Sequence, residues 1–369
     1  MMKFRLAAAM VVLIATLGAG CATQPPGPDA DPALALPVAS ASTPQATADP
    51  FASMPPAEIQ ERLLALDPGH IDDRDVREVL ARGPAPRIIL LHGGVYPVYL
   101  VMKSFGLFLA GMGYPESRIR DPHSGDWSYS PYQDSADIAG IVAWQYEHDG
   151  LRPMLIGHSL GAMQVVKVLH QLAGDYAKSL QVYDPQTGRF EARTTIVDPY
   201  TGHERPVVGV AVSYASSVAT AFLKMREWSM IDQMRVIPDT ALEFTAFILE
   251  LDPAHWTFSA NAAELQRDGR PQVRNIMLPS NYSHVFVPEV ESLAEDPAVR
   301  DWINAYVPDG PHDTSSLPPY AQDHVLWAAG VWYSIKRHWC LEAQRLVRAY
   351  QERSEAQGKR QAMTSARGG

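Results

Sequence analysis

Short apolar runs alternate with stretches of helical periodicity through the middle of the chain. Apolar runs that are bounded by glycine, proline or aspartate predict buried strands, and the amphipathic stretches between them predict helices. The predicted strands are 87–91, 153–156, 207–214, 244–251 and 273–278. The predicted helices are 100–112, 134–146, 162–173, 261–267 and 296–306. Strands spaced by single helices favour an α/β fold, with a mostly parallel sheet and helices on both faces.

Two segments depart from this alternation. Residues 181–206 carry two similar turns, which begin at Asp184-Pro185 and Asp198-Pro199, and β-forming residues flank each turn. The segment therefore predicts a β-hairpin insertion, in which the aspartates act as turn formers rather than as calcium ligands. After residue 308 a proline-containing loop leads to a predicted helix from residue 324 to about residue 353. We expect it to pack on the domain through the apolar stripe Val325, Trp332, Ile335, Trp339 and Leu346.

The N-terminus has the layout of an export signal. Lys3 and Arg5 precede the apolar run 6–17, and small residues separate that run from Cys21. This arrangement predicts a secretory signal peptide over residues 1–20, because the run is too short to remain as a membrane-spanning helix.

The position of Cys21 resembles the lipobox of bacterial lipoproteins. That resemblance implies a lipid on Cys21, and because Ala22 rather than an aspartate follows it, an exported outer-membrane lipoprotein that faces the periplasm. Ordinary signal-peptidase cleavage is the alternative. Residues 21–56 are rich in Ala, Pro, Ser and Thr and predict a flexible tether. A short helix at 57–66 then opens the predicted domain, 57–308, and residues 309–369 form the C-terminal extension.

The chain is acidic and poor in cysteine. The formal net charge is −10, and it becomes −12 once Lys3 and Arg5 leave with the signal peptide. This charge argues against nucleic-acid binding and against a polybasic contact with a membrane, so attachment should come from the N-terminal lipid anchor. Cys340 is the other cysteine. If Cys21 carries a lipid, no intramolecular disulfide forms, and we expect Cys340 to be a small buried hydrophobe.

Ser159 is the candidate nucleophile. It lies in Gly157-His158-Ser159-Leu160-Gly161, between the apolar strand that ends at Ile156 and an amphipathic helix. A serine hydroxyl is a weak nucleophile that needs a base and exposure to substrate, and a tight strand-to-helix turn with small flanking residues provides the exposure. The motif alone arises easily by chance, but this context is the one in which it carries chemistry.

A second motif gives the pattern a family resemblance. The motif Gly157-His158-Ser159-Leu160-Gly161, whose tight turn we call the elbow, is preceded in the chain by Leu90-Leu91-His92-Gly93-Gly94. Together these two motifs resemble the lipase and esterase branch of the α/β-hydrolase superfamily. The resemblance implies an oxyanion hole formed by the backbone N–H groups of Gly94 (or Val95) and Leu160. It also implies a triad in the chain order serine, acid, histidine.

That chain order places the candidate acid after Ser159 and the candidate histidine after the acid. His284 follows the last predicted strand by a short loop and precedes the closing helix, so it is the preferred base over His324, which begins the C-terminal helix. Asp252 follows the strand 244–251 and is the preferred acid, with Glu250 and Asp239 as rivals.

The function expected from these residues is hydrolysis of carboxylic esters through an acyl-serine intermediate. The segment between Tyr214 and Phe244 contains methionine, tryptophan and phenylalanine, and Trp127, Tyr129 and Tyr132 add aromatic surface, so we expect an apolar or lipid-like acyl group. Acyl transfer to an alcohol by the same triad is an alternative, and so is a non-catalytic envelope scaffold or binding module on the same fold. No cofactor is expected, and no metal-binding motif occurs in the sequence.

Overall fold

A five-stranded parallel sheet forms the centre of the protein, which confirms the α/β class. The computed structural model describes residues 49–220, 234–250, 261–262 and 272–367. The strands are β1 Ile88–Leu91, β2 Met154–His158, β3 Tyr183–Asp184, β4 Arg189–Phe190, β5 Thr195–Val197, β6 Glu204–Pro206, β7 Val212–Val218, β8 Val236–Ile237, β9 Ala241–Leu249, β10 Asn261–Ala262 and β11 Gln272–Leu278. The central sheet has the order β1-β2-β7-β9-β11, and each neighbouring pair is parallel.

Helices cover both faces of this sheet. They are α1 Ala57–Ala65, α2 Asp73–Glu78, α3 Tyr96–Gly111, α4 Ser135–Asp149, α5 Leu160–Ala173, α6 Pro297–Ala305, α7 Pro319–Gln322 and α8 Val325–Arg367. Residues of α3, α6 and α8 enter one apolar core with alternate residues of β1 and β2. Residues of α4 and α5 enter a second core with the other residues of those strands. Two cores on opposite faces are what a sheet buried on both sides requires.

Several boundaries differ from the sequence-based predictions. Helix α3 begins at Tyr96 rather than near residue 100, because Pro97 is tolerated in a first helical turn. The third strand of the sheet is Val212–Val218 instead of 207–214, and all its residues are buried although three of them are serines. Asn261–Ala262 pairs with β8 as a strand, so the predicted helix 261–267 is wrong at its start; residues 263–271 lie outside the described residues.

The insertion contains two hairpins, β3–β4 and β5–β6, at the two predicted turns. Asp184 Oδ1 accepts from the backbone N–H of Gln186, and Asp198 Oδ1 accepts from that of Tyr200, as turn-forming aspartates do. Buried Glu147 in α4 holds the insertion. Its carboxylate takes two hydrogen bonds from Arg193, at 2.8 and 2.6 Å, and a third from the Val197 N–H at 2.6 Å.

The C-terminal helix α8 packs on the sheet, as predicted, and the whole predicted stripe is buried. It is longer than predicted and continues, with exposed side chains, past residue 353. Cys340 is fully buried within it, and burial raises the pKa of its thiol to about 12. It is therefore the inert apolar residue that the sequence indicated.

A buried glutamate attaches α8 to the sheet. Glu243 of β9 is 1% exposed and accepts hydrogen bonds from Arg274 of β11 at 2.5 Å and Ser334 of α8 at 3.0 Å. Arg337 and His338 of α8 contact its second oxygen. Burial alone would raise the pKa of Glu243, but the bond to His338 and the nearby cationic charges outweigh it and lower the pKa to about 2.

The folded body includes the last residues of the predicted tether. Phe51 is buried against Leu151 and Leu346, so residues 49–56 lie on the domain rather than apart from it. The predicted signal peptide, Cys21 and the rest of the tether lie outside the described residues. In the part of the chain that the structure describes, no helix is both long enough and apolar enough to cross a membrane.

We expect Glu243→Gln to change how stability depends on pH. The pKa of Glu243 is about 2 in the fold against an ordinary value of 4.5, so the stability it contributes is complete above pH 4.5 and is lost as the pH falls toward 2. The loss is on the order of 3 kcal/mol. Urea unfolding between pH 7 and pH 3 should show a shallower acid loss in Glu243→Gln, which is also less stable at pH 7. Glu355→Gln, on the exposed end of α8, should follow the wild type. Equal acid losses in Glu243→Gln and wild type would contradict this role.

Candidate active site

Ser159 lies at a sharp turn between strand β2 of the central sheet and helix α5. Its backbone has φ 56° and ψ −119°, and its N–H donates to Val218 O of the neighbouring strand at 3.0 Å. Among the described residues, Ser159 and Ala219 are the two non-glycine residues with positive φ, and both follow carboxyl ends of adjacent strands. Such a conformation costs about 1–3 kcal/mol and persists only where the surroundings impose it.

Two glycines allow that turn. A Cβ on Gly161 would lie 2.2 Å from the carbonyl oxygen of Leu91, and one on Gly157 would lie 2.3 Å from that of Gly161. Helix α5 therefore crosses β1 and β2 at backbone contact, which no other residue type permits without displacement. The spacing of the motif, a glycine two residues before and two after the serine, follows from this close approach.

His284 lies beside Ser159, the candidate nucleophile. The Oγ of Ser159 and the Nε2 of His284 are 2.9 Å apart, which is the distance of a hydrogen bond. In the tautomer with its proton on Nδ1, the imidazole accepts this bond from the hydroxyl at Nε2. The structure thus brings together the predicted nucleophile and the preferred base, from positions 125 residues apart in the chain.

The loop that carries His284 is held at several points. The Nε2–H of His158, fully buried at the end of β2, donates to the carbonyl oxygen of His284 at 2.6 Å. The hydroxyl of Tyr282 accepts from the Leu326 N–H of α8 at 3.0 Å, and Ser104 Oγ of α3 accepts from the Val290 N–H at 3.1 Å. In the sequence, His158 is a member of the turn motif, and no spacing rule marks it as a support for the candidate base.

The rival base, His324, lies at the start of α8. Its ring is 6.3 Å from that of Tyr282, and its carbonyl oxygen accepts from the Ala328 N–H in the first helical turn. In the described structure the hydroxyl of Ser159 is paired with His284 and not with His324.

The acid candidates divide by their positions along β9. Asp239 precedes the strand and Glu250 follows it, and the strand is nine residues long. At about 3.3 Å per residue the two ends of β9 are roughly 26 Å apart. Asp239 therefore lies near the amino ends of the parallel strands, whereas Ser159 lies at their carboxyl ends. Glu250 lies at the carboxyl ends of the strands, as Ser159 does, and its side chain is exposed. Asp252, the preferred acid, lies outside the described residues.

The turn 92–95, between β1 and α3, adjoins Ser159. A Cβ on Gly93 would lie 3.1 Å from Ser159 Cβ. The carbonyl oxygen of Gly93 accepts from His92 Nδ1–H at 2.7 Å, and that of Gly94 accepts from the Tyr132 hydroxyl at 2.8 Å. Burial lowers the pKa of His92, which favours the neutral ring with one N–H for this bond.

Leu160, the second predicted oxyanion donor, is the first residue of α5. N–H groups in the first turn of a helix have no intrahelical acceptor and lie at the positive end of the helix dipole. Gly94, Val95 and Leu160 thus all belong to the two turns that meet at Ser159.

The predicted aromatic surface is smaller than expected. Trp127 is 6% exposed, because it packs on Gly106 of α3 while the Arg120 guanidinium lies 5.0 Å from the centre of its ring. Tyr129 is also buried, because its backbone pairs with β1. Only Tyr132 of the three is exposed, at 69%. Of the apolar segment between Tyr214 and Phe244, residues 221–233 lie outside the described residues.

A search of the described residues for metal sites and a comparison of the chain with known proteins both gave no match. Within the described ranges, no three His, Cys, Asp or Glu side chains are grouped so that they could hold a metal ion. No family model matches the chain, and no curated protein and no solved structure is significantly similar to it. The function must therefore be argued from the residues and their geometry.

We expect Gly161→Ala to destabilise the protein severely, because its methyl group would collide with the backbone of β1. The free energy of unfolding should fall by about 3 kcal/mol or more. Gly358→Ala is the matched control in a helix: its methyl group would meet nothing within 4 Å, so stability should rise by up to about 1 kcal/mol. Urea unfolding measures both, and wild-type stability in Gly161→Ala would contradict the close approach of α5.

Proposed function

We propose that the chain is a serine hydrolase of the α/β-hydrolase type that cleaves carboxylic esters. The observation that carries this proposal is the hydrogen bond of 2.9 Å between Ser159 Oγ and His284 Nε2, made by a serine with positive φ at the end of an inner strand. An elbow serine that was merely structural would have no need of both the backbone strain and an imidazole at its hydroxyl.

The arrangement of the sheet supports the proposed fold type. The turn 92–95 follows β1, the elbow turn follows β2, Glu250 follows β9, and His284 follows β11; Asp252 lies outside the described residues. Because the strands are parallel and adjacent in the order β1-β2-β7-β9-β11, all four points lie at the same edge of the sheet. Residues of the triad in the chain order serine, acid, histidine are typical of α/β-hydrolases.

In the proposed reaction, each of these residues acts in a defined step of acylation or deacylation. His284 Nε2 takes the hydroxyl proton as Ser159 Oγ bonds to the ester carbonyl carbon, and N–H groups of Gly94 or Val95 and of Leu160 stabilise the oxyanion. As the bond to the alcohol oxygen breaks, His284 returns the proton to the alcohol. A water molecule then gives a proton to His284 as its oxygen bonds to the acyl carbon; when the bond from that carbon to Ser159 Oγ breaks, His284 returns the proton to Oγ and the carboxylic acid leaves. Asp252 orients the imidazole and stabilises its charged form.

The proposed acyl group is apolar or lipid-like. This part rests on the methionine- and tryptophan-containing segment between Tyr214 and Phe244, since Trp127 and Tyr129 are used in the core. The same triad would serve acyl transfer if an alcohol replaced water in the second step, and a non-catalytic scaffold would leave the pairing of Ser159 with His284 without a purpose.

The test is labelling with a fluorophosphonate probe, in which the serine oxygen displaces fluoride at phosphorus. Wild type should label, Ser159→Ala should not, and His284→Ala should label about 10³-fold more slowly or worse. His324→Ala should label at the wild-type rate. Failure of folded wild-type protein to label would overturn the hydrolase proposal, and loss of labelling in His324→Ala with retention in His284→Ala would overturn the choice of base.

The same assay distinguishes the acids. Asp252→Asn should slow labelling by at least about tenfold, because the imidazole loses its orientation, whereas Glu250→Gln and Asp239→Asn should not. A slow Glu250→Gln beside a normal Asp252→Asn would transfer the role to Glu250.

We also propose export, with a lipid on Cys21 that anchors the chain in the outer membrane facing the periplasm. The support is the sequence of the first 21 residues. In bacteria fed labelled palmitate, the wild-type chain should incorporate label and fractionate with membranes, whereas Cys21→Ala should do neither. Export of unlabelled wild-type protein would show ordinary signal-peptidase cleavage instead.

A further inference from the structure

The hydroxyl of Tyr132, an exposed residue, makes a hydrogen bond to the turn that lies against Ser159. The side chain is 69% exposed, so its ring adds little to the core, yet its hydroxyl donates to the carbonyl oxygen of Gly94 at 2.8 Å. Gly94 lies in the turn 92–95, which packs against Ser159 through Gly93.

That bond fixes an N–H group as well as a carbonyl. In a planar trans peptide the C=O and the following N–H point in opposite directions, and none of the described peptide bonds is cis. Holding Gly94 O toward Tyr132 therefore points the Val95 N–H away from Tyr132. The bond from His92 to Gly93 O fixes the Gly94 N–H in the same way. Because Gly93 and Gly94 have wide backbone freedom, these two contacts select one orientation of the turn.

The Tyr132 segment is itself anchored on both sides. Tyr129 N–H donates to Leu90 O at 2.8 Å, which fixes the segment to β1. On the other side Gln133 O accepts from Gln164 Nε2 at 2.5 Å. Gln164 is buried in α5, the helix that begins at the nucleophile. The Tyr132 segment thus connects the turn 92–95 to β1 and to α5, the two elements that are in backbone contact at Gly161.

We propose that Tyr132 is a positioning residue, whose hydroxyl holds the backbone N–H groups of the turn 92–95 in place for the oxyanion. The inference rests on the proposed ester hydrolysis. Tyr132 acts through the turn and not on the substrate, so its hydroxyl should matter for the transition state and not for ground-state binding.

The test compares Tyr132→Phe with wild type on a p-nitrophenyl ester. The kcat should fall roughly fivefold, the effect of one exposed hydrogen bond, with KM unchanged. A trifluoromethyl ketone adds a second readout: Ser159 Oγ bonds to its carbonyl carbon, the hydroxyl proton passes to His284, and the carbonyl oxygen becomes an oxyanion. Its inhibition constant should rise by the same factor as kcat falls.

Tyr320→Phe is the matched control, since Tyr320 is also an exposed tyrosine, and its hydroxyl donates to Asp296 at 2.9 Å. The kcat of Tyr320→Phe should equal that of wild type.

The outcomes separate this inference from the proposed function. Wild-type protein that neither hydrolyses the ester nor binds the ketone overturns the hydrolase proposal and this inference with it. An active wild type with an unchanged Tyr132→Phe overturns the inference alone. So does a rise in KM at constant kcat, which would mean that the hydroxyl contacts substrate, or an equal loss in Tyr320→Phe, which would indicate general destabilisation.

Discussion

The close approach of helix α5 to strands β1 and β2 is the constraint on which the candidate site depends. Gly157 and Gly161 allow backbone contact there, and a Cβ at either would lie within 2.3 Å of a carbonyl oxygen. The contact forces the chain to reverse direction within one residue, so Ser159 takes a positive φ. The same contact brings the turn after β1 against Ser159. Strain at one residue is thus offset by packing over a whole helix.

The elements outside the alternating core are attached through buried carboxylates. Glu147 holds the two hairpins through Arg193, and Glu243 holds α8 through Arg274 and residues of α8 itself. The attachment of α8 matters for the site, because its first turn binds Tyr282, two residues before His284. The C-terminal helix is therefore a support for the loop of the candidate base, and not only a cover for the sheet.

The sequence was a good guide wherever one local rule decided the structure. Apolar runs between glycine and proline located most strands, and the glycine spacing around Ser159 located the elbow. The strand Val212–Val218 was displaced in the prediction because its serines carry no hydrophobic signal. Its burial comes from neighbours on both sides, and Ser213 Oγ donates to Arg152 O at 3.1 Å.

Contacts between distant segments could not be predicted. Trp127 was expected at the surface, but Gly106 of α3 makes room for its ring in the core. The bonds from His158 to His284 and from Tyr132 to Gly94 join residues with no shared motif. Local periodicity indicates which face of an element is buried, whereas it contains no information about which distant side chain will meet a given carbonyl group.

The central claim is that Ser159 forms a covalent acyl intermediate with the help of His284. It is tested most directly by rapid mixing with a p-nitrophenyl ester, followed by acid quench and peptide mass analysis. We expect a burst of one p-nitrophenol per protein molecule and the acyl mass on the peptide that contains Ser159, with neither in Ser159→Ala. Steady ester turnover with the acyl mass on another residue, or an undiminished burst in Ser159→Ala, would contradict it.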